Sequence, residues 1–272
     1  MPFRRAFVLG LLVLLFSLLT ACQGEPTPVA TPTPTPTPTP ELAPREIAKR
    51  AAEAMLSVDS LHFTIERQGA LAYIDTDQLL AFKRAEGDFG LPDRMRALVR
   101  VITAITPIDI GMVVLGDDQF ATDPITGEWG RLPSEWGQFS LLTLFDPEWG
   151  LQGLLKDGII DLTLVGSEEI EEQRHYRLTG QASGERMNAM TLGFIGRGDV
   201  ELEVWIGMND FYVRRLRIVD PETDLNDPTT WNLEFSQLGE PIEIEAPPVS
   251  NRYPGPAHVN NGINRAAWAR WP

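Results

Sequence analysis

Few residues in this chain are equipped for acid–base, nucleophilic or metal chemistry. It holds three histidines and one cysteine, Cys22, among 272 residues. A single thiol admits no intramolecular disulfide, zinc knuckle or CxxC redox pair. His62 and His175 fall in stretches that alternate apolar and polar residues, with no nucleophile or carboxylate partner identifiable around them, so both read as structural histidines rather than bases. The body carries no GxSxG elbow, P-loop, HExxH or GxGxxG. The run Asp220-Pro221-Glu222-Thr223-Asp224-Leu225-Asn226 alternates oxygen ligands as a calcium loop does. It fails that pattern, with Leu225 where glycine is required and Trp231 where the closing glutamate belongs, and reads as a solvated loop. Glu168, Glu169, Glu171 and Glu172 read as a polar strand connection. No catalytic residue, metal ligand or cofactor is expected, and the chain is read as a non-enzyme. With 23 Lys plus Arg against 38 Asp plus Glu, the net charge of −15 also excludes a nucleic-acid partner, which needs a basic surface.

The one residue whose setting implies chemistry is Cys22. Arg4 and Arg5 precede an apolar run from Ala6 to Leu19 that is short for a membrane span but suits a secretory signal. The run ends in Leu19-Thr20-Ala21-Cys22, which resembles the lipobox of bacterial lipoproteins. That resemblance implies cleavage after Ala21 and a diacylglyceryl group on Cys22. Losing residues 1–21 removes two arginines and no acid, which takes the net charge from −15 to −17. Such a body is repelled by an anionic bilayer, so attachment falls to the lipid, and two acyl chains anchor stably where one does not.

Composition divides the rest. Residues 22–44 contain a Thr-Pro repeat over 31–40, and proline's fixed φ and missing N–H predict an extended or disordered linker. At about 3.1 Å per residue it spans some 60–70 Å. The body, 45–248, opens with a helix predicted from Pro44, carrying Ile47, Ala51, Ala54 and Met55 on one face. Period-two alternation follows at Leu61-Phe63-Ile65, at Met95-Ala97-Val99-Val101 and at Ile108-Ile110-Met112-Val114, with turns at Gly116-Asp117-Asp118 and Asp123–Gly127. A second helix is predicted near Asp146–Lys156, with Asp146 as cap. Strand signals return at 161–165, 175–181, 199–208, 212–219 and 231–237. Many short strands with two or three helices predict an α+β fold, a large antiparallel sheet with helices on one side. Residues 249–272, with arginines 252, 265 and 270 and with Trp268 and Trp271, read as a loosely ordered tail.

In order along the body, Leu61-His62-Phe63-Thr64-Ile65, Gly90–Ala97, Gly116–Trp129, Val204-Trp205-Ile206, Val213–Arg217, Trp231–Ser236 and Pro241–Pro247 are similar to the LppX/LprAFG family of lipid-binding lipoproteins. The resemblance implies a strongly curved antiparallel half-barrel with a few helices on its concave side, related in architecture to the LolA and LolB carriers. It also implies an apolar cavity for acyl chains and no catalytic residue. The expected ligand is a lipid or glycolipid, the expected place is outside the cytoplasm on a lipid anchor, and an envelope transport protein is a candidate partner.

Sequestering acyl chains is physically demanding. At about 0.8 kcal/mol per exposed CH₂, a sixteen-carbon chain costs roughly 12 kcal/mol to extract unprotected, so a carrier must offer an apolar pocket with polar groups only at its mouth. Strand alternation nominates Leu61, Phe63, Ile65, Val99, Val101, Ile108, Ile110, Met112, Val114, Leu202, Val204 and Ile206 as lining. Met187, Met190, Leu192, Phe194 and Ile195 form an apolar, methionine-rich segment, read first as a short helix packed on the core and second as a candidate flap; Arg94, Arg96 and Arg100 share a strand face, read first as an exposed solvated face and second as candidate partners for a lipid phosphate. The alternative is an envelope scaffold or sensor of the same architecture that engages a protein.

Overall fold

The computed structural model describes residues 42–73, 78–132, 143–144, 146–191, 193–196 and 198–249. Helix α1, Pro44–Met55, begins with proline in its first turn, where the missing N–H costs nothing, and carries an i,i+4 Arg50–Glu46 pair. Its buried face is Ile47, Ala48, Ala51, Ala52 and Met55; Ala54, expected on that face, is only half-buried.

Eleven strands follow: β1 Ser60–Gln68, β2 Ala81–Gly90, β3 Arg94–Ile102, β4 Pro107–Leu115, β5 Asp118–Thr122, β6 Trp129–Arg131, β7 Ile160–Ile170, β8 Gln173–Ala182, β9 Val200–Gly207, β10 Val213–Asp220 and β11 Thr229–Ser236. They form one open antiparallel sheet in the order β6-β5-β4-β3-β2-β1-β11-β10-β9-β8-β7. The topology is two meanders joined at the centre. The first runs outward from β1 to the edge β6, the chain crosses to the opposite edge β7, and the second returns inward until β11 pairs with β1. Hairpin chemistry sets each return; Glu171 and Glu172, both at positive φ, make the tight turn between β7 and β8.

Strand β2 is absent from the sequence-based assignment. A register shift between Phe82 and Arg84 breaks its alternation, and its inward positions are the small Ala85 and Gly87, which carry little apolar signal. The crossing also differs from expectation. Asp146 Oδ1 accepts from the Glu148 and Trp149 N–H groups and so caps a turn, while the helix α2 begins only at Leu151. It spans Leu151–Gly153 and passes into a π-helical turn, Leu154–Gly158. The last helix, α3 Gly184–Met190, joins β8 to β9 with Ser183 as its N-cap.

The helices cover the inner face of the sheet. One continuous core joins Ile47, Ala51 and Met55 of α1, Leu151, Leu154 and Leu155 of the crossing, and Met187 and Met190 of α3 to Leu61, Phe63, Leu178, Val204, Leu216 and Phe235 beneath them. Fully burying a side chain the size of Ile47 or Leu154 contributes about 1.5–3 kcal/mol, so this contact holds the helical layer down. A second, smaller cluster lies on the outer face, where Val113, Phe120, Leu115 and Trp129 are covered by Ile242 and Ile244. The segment after β11 crosses that face as a strap, with Ser60 Oγ donating to the Glu240 carbonyl at 2.6 Å. At the sheet edge the Trp129 ring lies so close over Gly111 that a Cβ there would meet it at 2.9 Å.

Candidate lipid-binding face

Register, rather than proximity in sequence, assembles the site. Across one row Ile65 pairs with Ala85, Ala85 with Val99 and Val99 with Ile110. The next row runs Phe63, Gly87, Ala97, Met112, Ala121, Gly130. A third joins Leu61, Phe89, Met95, Val114 and Gln119, and Val101 pairs with Ile108. In the other direction Ile65 faces Leu233, which faces Leu216 and then Val204, with Leu202 and Ile206 at alternate positions of the same strand. All twelve nominated lining residues therefore share the inner face.

They are not equivalent. Leu61, Phe63, Val101, Val114, Leu202, Val204 and Ile206 are buried, and all but Val101 belong to the helix-covered core. Ile65 and Val99 are half-buried at its margin. Ile108, Ile110 and Met112 are half-buried on β4, outside that core among the described residues. The inner positions of β2 to β6 carry no charged side chain along these rows, and the middle row is shallow because Gly87, Ala97, Ala121 and Gly130 are small. The result is an apolar trough that continues beyond the helices. It can take hydrocarbon, and along these rows the described residues of β2 to β6 present no carboxylate, histidine or cysteine.

Of the candidate flap, Met187 and Met190 lie on the buried side of α3, Ile195 is buried and Phe194 half-buried. Leu192, like Cys22 and the tail 250–272, lies outside the described residues. The arginines form the exposed, solvated strand face expected first, not the phosphate partners offered second. Arg94, Arg96 and Arg100 alternate with the inward Met95, Ala97 and Val99, so they project from the outer face, away from the trough. There Arg96 pairs with Asp88 at 2.6 Å and Arg100 makes a two-pronged contact with Asp109. A phosphate held with its chains in the trough is out of their reach.

His62 and His175 likewise belong to the outer face of the sheet. His62 Nδ1 lies 2.8 Å from Asp88 Oδ1, and the Arg96 guanidinium holds the same carboxylate. Burial pushes the Asp88 carboxyl up, but hydrogen bonds from His62 and Arg96 outweigh it and hold it below the usual carboxylate range. His175 is buried, its Nδ1 bonded to the Gln173 carbonyl. Neither histidine hydrogen-bonds a serine among the described residues. A depression of about 300 Å³ on the same outer side is lined by Asp161, Glu201, Glu203 and Arg217, a charged surface unsuited to acyl chains. Sequence reading missed Arg67. It occupies an inward position at the end of β1, buried, and donates to the carbonyls of Phe82, Gly69 and Ala70, which ties down the β1–β2 connection. Loss of hydration lowers its pKa, with Asp227 and Tyr73 opposing.

An open eleven-stranded antiparallel sheet with a few helices on an apolar inner face can be compared with known proteins. The family model for LppX_LprAFG lipoproteins matches residues 43–244. The chain belongs to the LppX/LprAFG lipoprotein family. Among solved structures it is similar to LprF from Mycobacterium bovis, at 14% identity and a TM-score of 0.58, covering 75% of this chain and 96% of that one. It is similar also to the Mycobacterium tuberculosis lipoprotein LppX, at 18% identity and a TM-score of 0.54, covering 74% and 98%. At these identities the likeness shows the fold, which is the half-barrel expected of an LppX/LprAFG chain. No curated protein matches the sequence.

Proposed function

We propose that this LppX/LprAFG protein binds a lipid or glycolipid along its inner face and transports it, anchored outside the cytoplasm through a diacylglyceryl group on Cys22. The observation that carries the reading is the apolar inner surface of β3 and β4, where Val99, Ile108, Ile110 and Met112 remain half-buried on a face free of charge along its paired rows. Acyl chains laid there replace water against hydrocarbon, and the protein works by sequestration and release, without covalent chemistry. An envelope transport protein would deliver or receive the cargo, and the segment from α3 to Ile195 would move if chains enter beneath it.

A soluble form beginning at Gln23, purified from a lipid-containing host, is to be weighed by native mass spectrometry and then extracted with organic solvent. The expected result is one diacyl or triacyl species per protein, lost when Ile110 and Met112 are both replaced by glutamate. The envelope scaffold or sensor is favoured by the filled half of the face, where Leu202, Val204 and Ile206 are packed under the helices. A clean apo mass that stays clean after incubation with mixed envelope lipids would establish that reading instead.

A further inference from the structure

Large apolar side chains exposed in the described loops are concentrated at one end of the sheet. Strands β1, β3, β5, β8 and β10 finish at this end, and their connections to β2, β4, β6, β9 and β11 form its rim. Ile105, between β3 and β4, is 94% exposed; Ile125, between β5 and β6, and Leu225, between β10 and β11, are each 92% exposed. Between β1 and β2 stand Leu71 and Leu79, about half exposed, and Tyr73. These four connections are consecutive along the sheet order, and neighbouring hairpins of an antiparallel sheet lie two strands, roughly 10 Å, apart.

The three isolated tips are built, not frayed. Thr103 Oγ1 accepts from the N–H groups of Ile105 and Thr106, Asp123 Oδ1 from those of Ile125 and Thr126, and Asp224 Oδ1 from those of Asn226 and Asp227. Thus the polar residue of each turn is folded back onto the backbone and the apolar one is left in water. The opposite end differs in its apolar residues, not in its acids. Its hairpin tips are Pro92-Asp93, Gly116-Asp117, Glu171-Glu172 and Asn209-Asp210, and among the described residues the large apolar side chains exposed there are Leu56 and Leu91, whereas acids stand at both ends, with Asp123, Glu222, Asp224 and Asp227 at the rim.

A second, independent observation places the entry of the chain at the same end. Helix α1 runs antiparallel to β1: its C-terminus leads through Val58 to Ser60 at the opposite end, while Arg45 donates to the carbonyl of Ile159, immediately before β7 starts at the apolar end. The chain therefore enters the body at Leu42 on the side of Ile105, Ile125 and Leu225, about 20 residues after Cys22.

We infer that this rim is a membrane-docking surface: Ile105, Ile125 and Leu225, with Leu71, Leu79 and Tyr73, seat in the interfacial layer of a lipid bilayer, with the hairpin tips at Asp93, Asp117, Glu172 and Asp210 directed away from it. Apolar tips lose water-exposed area there and an interfacial tyrosine keeps its hydroxyl wet, while Asp123, Glu222, Asp224 and Asp227 beside them suit the rim to a zwitterionic rather than an anionic surface. The end of the trough is thereby applied to the bilayer, the geometry a lipid needs to pass between them. The inference rests on the proposed Cys22 anchor but not on lipid carriage.

Because Cys22 is the only native cysteine, acylation leaves an engineered thiol unique. The full chain, acylated in its host and reconstituted into phosphatidylcholine vesicles, is to be labelled with an environment-sensitive fluorophore at I105C, I125C, L225C or, at the far end, D117C. Brominated lipids are expected to quench the three rim labels severalfold more than the label at 117. Equal quenching at all four positions overturns the inference. So does a rim label that stays in water, the result if the tips serve a protein partner, or one that turns apolar with rising protein concentration in the absence of vesicles, the mark of a second copy. The mass of the N-terminal peptide reports acylation separately, so loss of the anchor is distinguished from loss of docking. In the same vesicles I105S/I125S/L225S should move lipid between membranes roughly tenfold more slowly while its thermal unfolding and its bound lipid are unchanged. With a parent chain that transfers lipid, unchanged transfer in the variant would also overturn docking, whereas a parent chain that holds and transfers no lipid counts against the carrier alone and leaves the quenching to decide docking.

Discussion

Asp88 is a carboxylate on the outer face shared by His62 and Arg96. Its pKa is depressed in the folded chain despite the opposing effect of burial. A depressed carboxyl stabilises the fold above its unfolded pKa of about 4, and that contribution is lost as the pH falls through the folded value. Asp123, depressed by the N–H of Thr126 and then opposed by burial, acts in the same direction. Stability measured by denaturant titration should hold from neutral pH to about pH 4 and fall below it. D88N should be less stable at pH 7 and lose less on acidification; an equally steep acid limb in D88N would contradict the assignment. The sequence identifies no carboxylate partner for His62, which it reads as structural, and the structure supplies one in Asp88. These partners were not legible in the sequence, since Asp88 lies 26 residues away and Arg96 a further eight, on separate strands.

The elements show a similar division. Pro44 and the spacing of Ile47, Ala51 and Met55 announce α1 directly, and most strands declare themselves by alternation. Strand β2 does not, because its shifted register and its Gly87 and Ala85 erase the apolar period. The crossing helix starts at Leu151 instead of Asp146, since the capping signal of Asp146 is spent on a turn. The strap after β11 looks like an ordinary Pro-rich exit, yet Ile244 is buried on Val113 and Phe120. Placing a carboxylate there leaves it without a partner in an apolar cluster, so Ile244→Asp should lower unfolding stability by about 2–4 kcal/mol. A denaturation midpoint equal to that of the parent chain would show that the strap only rests on the surface.

At the scale of the molecule the sheet has two unequal halves. Strands β8 to β11 and β1 lie under three helical elements, whereas β4 has half-buried side chains and β5 and β6 are short and end at an edge. Hydrogen exchange should therefore be slowest in β1, β9, β10 and β11 and fastest in β5 and β6, with β4 gaining protection when lipid is bound. Uniform protection across the sheet would argue that both halves are equally filled. What the sequence determined by itself was local: the opening of α1 at Pro44, most of the strands, and which residues of each strand share a face. These depend on backbone conformation and on a period of two, which are set by neighbours in the chain. What only the tertiary structure decided was which of those faces is closed. The twelve inward residues carry the same pattern, but Leu202 meets a helical layer and Met112 does not, because helix placement depends on contacts between elements more than 100 residues apart. The same holds for the rim. Ile105, Ile125 and Leu225 are unremarkable apolar residues in three separate turns until strand order brings those turns to one end.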